Sequence, residues 1–479
     1  MKLVFFTHPP FLAISSMTRY ASWLVDDMKR RGHEVQIWTP APLFYRLPVP
    51  VRLKKWMGYI DQYVMFPLQV KWRLVRQPLD TLYVFADHAL GPWVPLVAKR
   101  PHVVHCHDFL AQDSALGRIP HNPVSQTGRL YQRYIRNGFS QARAFIAISR
   151  KTKEDLMHVV DASSRCEVVY NGVNPRFQPT ADVPAQRELL GRELGIDLSR
   201  GFVMHVGVNT WYKNRQGVLA AYEAWQLSRA PESGEPAEAA ALPLLMIGPP
   251  PPEGLADIHA RMSSTADVHF LSAVSDEQLA ALYGAATVFL FPSIAEGFGW
   301  PIVEAMASGC PVITTGEAPM TEVAGSAAVL IPVSTLQDTE DPAPWSTPWA
   351  ARAGAALARV AGLSALERQA MVARGFAQAK HFDSAKALDQ METIYVAGLE
   401  DHKLNLDCRS TLRRNGLYLR ASELCCQHQS LPTAATQLRW LPPANENGVA
   451  YLRISLNSMS IGETVQCQAA FTLGRSSCT

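Results

Sequence analysis

Short apolar runs punctuate the chain at 3–7, 35–38, 82–85, 102–106 and 144–149, and again at 203–206, 244–247, 268–271, 288–291 and 311–315. They are brief and mostly lack regular polar alternation, which predicts strands buried on both faces of parallel sheets. Between them, apolar residues recur every three or four positions. In 17–31, Tyr20, Trp23, Leu24 and Met28 form an inner face, Asp26, Asp27, Lys29 and Arg30 face water, and Gly32 stops the helix. Strand, loop, helix and strand in this order open a doubly wound α/β domain, whose ligands sit at the C-terminal ends of the strands. Asp87-His88 and His107-Asp108 follow two of the runs and fall in such a crevice. Ser364 and Glu367 are spaced as a capping box at the start of a helix over 364–379.

The densest chemistry lies at 289–315, FLFPSIAEGFGWPIVEAMASGCPVITT. A strand closed by Pro292 leads through Glu296-Gly297-Phe298-Gly299 into a short helix with Pro301 in its first turn. The N-terminus of such a helix favours an anion such as phosphate. Glu296 stays on the loop while Glu304 lies one turn into the helix. By spacing alone this pair fits a ligand site and a simply capped helix equally well. Glycine at 207 followed by Lys213 at the next helix start places an ammonium where a diphosphate would lie.

In order, Ser293, Glu296-Gly297-Phe298-Gly299, Pro301, Glu304-Ala305-Met306-Ala307, Gly309, Pro311-Val312-Ile313, Glu322-Val323 and Gly325 closely resemble the donor-site signature of retaining glycosyltransferases of family 4. That family has the GT-B architecture, two Rossmann-like doubly wound domains facing across a cleft. The phrases FIAISRKTKEDL and VVYNGVNPRFQP resemble its last N-domain strands and linker. The implied layout is an acceptor-side domain over 1–179, a nucleotide-sugar domain over 180–383, and a helix over 384–400 crossing back to the first domain. The resemblance stops there, and 401–479 is a tail of unknown structure: a small appended module, sequence not native to the enzyme, or an extension of low order, the last being favoured. Five of the eight cysteines (Cys408, Cys425, Cys426, Cys467 and Cys478) crowd into it without zinc-ligand spacing, whereas Cys106, Cys166 and Cys310 read as core.

By this resemblance His107, Glu296 and Lys213 form the catalytic group. Gly297, Phe298, Gly299, Glu304, Val274 and Arg215 contact the donor. Glu296 takes the sugar hydroxyls, Glu304 the ribose, Lys213 and the amides of 297–299 the diphosphate, and the segment around Val274 the base. An isolated histidine after a strand also serves simply as a capping group. Family members commonly carry an arginine where this chain has Val208 or Tyr212, so a second cation is either missing or supplied by Arg215. Ser15-Ser16 replaces a glycine pair common in the first loop.

The implied reaction moves a sugar from a UDP-, GDP- or ADP-sugar to a glycan or lipid-linked acceptor with retention, in surface polysaccharide or lipopolysaccharide biosynthesis. No Asp-x-Asp motif stands in a metal-site context, so neither metal nor cofactor is expected. A sugar-nucleotide epimerase of similar fold and a non-catalytic nucleotide-sugar-binding protein are the alternatives. A dehydrogenase is disfavoured because no G-x-G-x-x-G follows the first strand. The net charge of +3, with 18% charged residues, suggests no nucleic-acid partner.

The segment 52–76 stands apart, with six basic residues against one acidic. Trp56, Tyr59, Tyr63 and Phe66 recur at helical spacing. The segment suits either an ordinary helix packed on the sheet or peripheral contact with an anionic bilayer. No run of about 18 apolar residues predicts a membrane span. The first residues make a poor signal peptide, so the protein is expected in the cytoplasm, at most peripheral at the inner face of the membrane.

Overall fold

The computed structural model describes residues 1–12, 15–229, 242–335, 338, 341–414, 436–441, 449–457 and 464–472. The Glu-, Ala- and Pro-rich insertion over 229–241, expected as a surface loop, lies outside them apart from Arg229.

The first series of apolar runs forms β1 (Lys2–Phe6), β2 (Glu34–Trp38), β3 (Leu82–Phe85), β4 (His102–Cys106) and β5 (Ala144–Ala147), and β6 (Arg165–Val168), which no apolar run marked, joins them. They make one sheet in the order β2-β1-β3-β4-β5-β6, with every pair parallel. The second series forms β7 (Val203–Val206), β8 (Leu244–Ile247), β9 (Val268–Leu271), β10 (Val288–Phe291) and β11 (Val312–Thr315), and the short β12 (Val329–Ile331), likewise unmarked by a run, follows. These also pair in parallel, in the order β12-β11-β10-β7-β8-β9. Strand order reverses between β1 and β3 and between β7 and β10. The sheets therefore open their ligand crevices there, at the C-terminal strand ends.

The chain crosses between the sheets twice, and the crossings lie together. Val173 N donates to Phe382 O (2.8 Å), and Ser384 Oγ donates to Val173 O (2.5 Å). Gly172 is required here, because a Cβ on it would stand 2.3 Å from Ser384 Cα. The second crossing leads into helix Ser384–Arg414, which is longer than the expected 384–400. Its Leu388, Met391 and Tyr395 complete the core of the first sheet against Leu3, Phe5, Tyr20 and Val84. Beyond it, β13 (Thr436–Leu441), β14 (Val449–Asn457) and β15 (Thr464–Thr472) form an antiparallel sheet as a separate unit. Of 401–479, the described parts are the continuation of this helix and these three strands.

Two local readings also change. Asp27 does not face water. It is buried and paired with Arg30 and Arg31, and Arg31 reaches Asp389 and Glu392 of the crossing helix. The segment 52–76 folds as helices Val51–Ile60 and Phe66–Leu74 joined by the π-turn Asp61–Met65. Its aromatic face points inward: Phe66 is buried, and Tyr59 and Tyr63 pack on Tyr131 and Tyr134 of helix Gln126–Phe139. Of the expected aromatic stripe, only Trp56 is outward. The outer face is instead a ridge of Leu53, Trp56, Val64, Leu68, Trp72 and Val75, all exposed.

Tyr395 is fully buried, with its hydroxyl 2.7 Å from His105 Nε2. Removing its ring leaves a cavity and an unpartnered Nε2 on His105, whose Nδ1 stays bonded to Tyr20 Oη. Tyr395→Ala is expected to lose roughly 3–5 kcal/mol and Tyr395→Phe about 1 kcal/mol, measured as shifts in urea unfolding midpoint.

Candidate active site

The second sheet places four loops around its switch point. The first comes after β7: Gly207 continues the strand, a single 3-10 turn carries Trp211–Lys213, and Asn214 takes a left-handed conformation (φ 49°). The Asn214 side chain accepts from Gly217 N and so starts the next helix, Arg215–Ser228. That turn delivers Lys213 to the crevice, where its Nζ lies 2.7 Å from Glu296 Oε1. Both side chains are largely enclosed, and the ammonium also sits over the Phe291 ring. Lys213 and Glu296, two of the three residues expected in the catalytic group, are thus brought together.

Glu296 belongs to the loop after β10. Gly299 caps the following helix, Trp300–Ala307, with φ at 106°, a conformation that disfavours side chains, and Pro301 occupies its first turn. The amides of 297–299 thus precede a helix N-terminus beside Lys213, and the two positive ends reinforce one another. Phe298 contributes only its backbone to such a site. Its ring is buried among Tyr170, Trp300 and Phe382.

Glu304 lies one turn into this helix, partly exposed, and its Oε2 accepts from Tyr283 Oη at 3.2 Å. Enclosure by the surrounding protein raises its carboxyl to about 7, against a smaller opposing effect from the tyrosine. Val274 is half-buried after Ala273, whose φ is 58°. Ser272 Oγ donates to Gly248 O and ties this loop to the end of β8. Arg215 is not gathered with Lys213. It is buried, its Nη1 donates to Asn209 Oδ1 and Pro249 O, its Nε and Nη2 are buried without a partner, and its guanidinium lies over the Phe270 ring. It braces the loops after β7 and β8.

His107 enters from the first domain. Its Nε2 donates to Ala86 O (2.8 Å), so Nδ1 carries a lone pair, and that atom is buried without a partner. Burial lowers its pKa, and the ring stands edge-on to Tyr20 with centroids 4.5 Å apart. The domains meet directly beside it: a Cβ on Gly297 would lie 1.9 Å from His107 O. Thr152 Oγ1 reaches both His107 O and Gly297 O at 3.2 Å. Glu322 caps the other domain's helix Arg150–Met157, accepting from Arg150 N and Lys151 N at 2.9 Å. A cavity of about 300 Å³ next to this seam is lined by Asp108, Lys151, Asp155, Glu296 and Glu317 among others.

Sequence reasoning missed Tyr283, Thr152 and the seam role of Glu322. Tyr283 sits in an apolar helix face where a hydroxyl needs a partner, which is a weak signal. The contacts of Thr152 and Glu322 span 45 to 172 residues along the chain and leave no local pattern. Among the described residues no group of three or more His, Cys, Asp or Glu side chains is placed to hold a metal ion.

Two Rossmann-like domains with opposed crevices and a lysine, carboxylate and helix terminus at the switch point define a GT-B protein. Residues 17–177 match the family described as Glycosyltransferase Family 4, and 201–341 match Glycosyl transferases group 1, together more than half of the chain. The chain belongs to this glycosyltransferase family. It is 28% identical to O-antigen chain mannosyltransferase B of Escherichia coli, over 82% of this chain and 99% of that protein. It is 30% identical to a D-inositol 3-phosphate glycosyltransferase of Corynebacterium kroppenstedtii, over 52% of this chain and 53% of that protein; the match thus spans about half the length of that relative. Sucrose-phosphate synthase from Thermosynechococcus elongatus shares the fold, with TM-score 0.60, 17% identity, and 83% of this chain and 99% of that chain covered.

With its carboxyl at about 7 in the fold against 4.5 ordinarily, Glu304 holds a proton in the native state that the unfolded chain has lost. Its ionisation therefore costs stability progressively as pH rises from 4.5 to about 7, and fully above that. Glu304→Gln is expected to raise the melting temperature of the ligand-free protein at about pH 8, by the equivalent of roughly 1–3 kcal/mol. Near pH 4, calorimetry is expected to find no difference between them.

Proposed function

We propose that this protein transfers a sugar from a nucleotide-sugar to a glycan or lipid-linked acceptor with retention of anomeric configuration. The observation that carries this reading is the Lys213–Glu296 pair (2.7 Å) beside the N-terminus of helix Trp300–Ala307. An ammonium and amide donors face the position of a departing diphosphate, next to a carboxylate able to bind sugar hydroxyls. Before donor arrives, Lys213 and Glu296 neutralise each other. When it binds, the diphosphate takes the ammonium and the hydroxyls take the carboxylate. Glu304, ionised on ribose binding, accepts from the ribose hydroxyls while Tyr283 steadies Oε2. The base lies along 272–274, near the end of β8.

In the chemical step the bond from the anomeric carbon to the diphosphate oxygen breaks. Lys213 and the amides of 297–299 meet the charge that develops on that oxygen. The acceptor hydroxyl forms its bond on the same face, and its proton passes to the departing phosphate. His107, whose buried Nδ1 has no partner in the ligand-free protein, accepts from a donor-sugar hydroxyl. The lysine and helix terminus make a divalent cation unnecessary, so the reaction is metal-independent. The full-length match to an O-antigen mannosyltransferase supports a role in surface polysaccharide or lipopolysaccharide synthesis.

The exposed ridge of 53–75 supports peripheral docking at the cytoplasmic face of the membrane. Arg52, Lys55, Lys71, Arg73 and Arg76 accompany it, and Arg76 stacks 3.8 Å above the Trp72 ring. Among the described residues no helix is long and apolar enough to cross a membrane.

The deciding experiment measures nucleotide release from UDP-, GDP- and ADP-sugars with EDTA present. One donor is expected to be hydrolysed slowly, with Lys213→Met reducing kcat by about 10²–10³-fold and Glu304→Ala chiefly raising KM. Donor turnover yielding an epimerised sugar, or an inverted product anomer, would sink the proposed reaction. Separately, Trp72→Ser is expected to weaken sedimentation with anionic vesicles several-fold without changing donor hydrolysis.

A further inference from the structure

Helix Gln126–Phe139 carries a feature that sugar transfer does not use. Arg129, Arg133 and Arg136 are spaced by four and three and so share one face. With Gln126, Leu130 and Leu116 they line a groove of about 390 Å³. The sequence holds no Asp or Glu from 114 through 153. Among the described residues neither the Arg133 nor the Arg136 side chain has a hydrogen-bond or ion-pair partner; Arg129 gives its Nε to Val124 O. Three guanidinium groups within two turns repel one another, and an anion would relieve them. Guanidinium forks match phosphate oxygens in pairs.

The groove also has an apolar side, since Leu116 and Leu130 are 42% and 55% exposed. The same helix packs Tyr131 and Tyr134 against Tyr59 and Tyr63, with Tyr63 Oη 2.6 Å from Tyr131 Oη. It therefore lies beside the helices that carry the ridge. Leu130 and Tyr134, one turn apart and both exposed, fill the face between the tyrosine cluster and the arginines. Asp61, the one acid within 51–76, is buried and bonded to Phe44 N and Tyr45 N. Ridge and groove thus form one apolar and cationic flank.

We propose that this groove binds the phosphate headgroup, a phosphomonoester or diphosphate, of a lipid seated in the bilayer that the ridge contacts. The inference rests on the membrane reading of the ridge and not on the sugar-transfer chemistry. The test is sedimentation of the full chain with phosphatidylcholine vesicles containing either phosphatidic acid or phosphatidylglycerol, matched in surface charge. Wild type is expected to bind the phosphatidic acid vesicles several-fold more tightly. The double variant Arg133→Lys/Arg136→Lys keeps the charge but loses the forks. It is expected to bind phosphatidylglycerol vesicles as wild type does and to show no preference, with an unchanged melting temperature. Equal binding of wild type to both vesicles, or a preference that survives in the lysine variant, overturns the groove assignment while leaving the ridge intact. Binding to neither vesicle overturns the membrane reading and this proposal with it. Inorganic pyrophosphate bound by the groove in solution as tightly as the lipid overturns the choice of a lipid over a soluble anion.

Discussion

The approach of Gly297 to the carbonyl of His107 constrains everything around the cleft. At 1.9 Å from where a Cβ would stand, that carbonyl admits only glycine. The contact places Glu296 and the helix terminus of one domain against the strand end that carries His107 in the other. Thr152 bridges both carbonyls, and Glu322 satisfies amides at the start of the other domain's helix. These polar contacts lie at a seam next to a cavity, beside apolar ones such as Trp300 on Tyr20 and Phe298 on Tyr170. Such a seam keeps the crevices registered while allowing a ligand between them. The larger apolar commitment lies at the other end, where the crossing helix completes the first core.

The site's electrostatics are arranged for a guest. Lys213 and Glu296, largely enclosed, hold each other at 2.7 Å, and a buried pair of this kind contributes little net stability of its own. Glu304 is enclosed enough to resist ionisation near neutrality. Both arrangements become favourable when a polyhydroxylated anion supplies hydroxyl donors to the carboxylates and oxygens to the ammonium. His107, with one nitrogen bonded and the other bare, has the same character. Arg215 is likewise incomplete, with Nη1 bonded to Asn209 Oδ1 and Pro249 O while its buried Nε and Nη2 have no partner.

Helices Val51–Ile60 and Phe66–Leu74 show how a pattern can be right in period and misleading in direction. The aromatic repeat at 56, 59, 63 and 66 is helical, and a helix is there. The π-turn Asp61–Met65 adds a residue to the turn and rotates the second helix relative to the first. With the tyrosines of Gln126–Phe139 as partners, the aromatics are drawn inward and the aliphatic and tryptophan ridge is left outside. One-dimensional periodicity finds both faces of a helix but does not say which one meets the protein.

Strand positions, the two-sheet layout, the capping box at Ser364 and the Glu296–Glu304 loop were legible in the residues, because each depends on local pattern: apolar runs of strand length, glycine where φ is positive, proline in a first turn. The pairing of Lys213 with Glu296 was legible only through resemblance, since 83 residues separate them. Tertiary structure alone decided that Phe298 is core, that Arg215 braces loops and that Asp27 is buried. It also set Tyr283 against Glu304 and Thr152 and Glu322 across the seam. Sequence specifies what each segment does with its neighbours in the chain, where entropy is cheap and geometry short-ranged. Which side chains confront one another across a cleft is settled only when two separately built sheets are packed together.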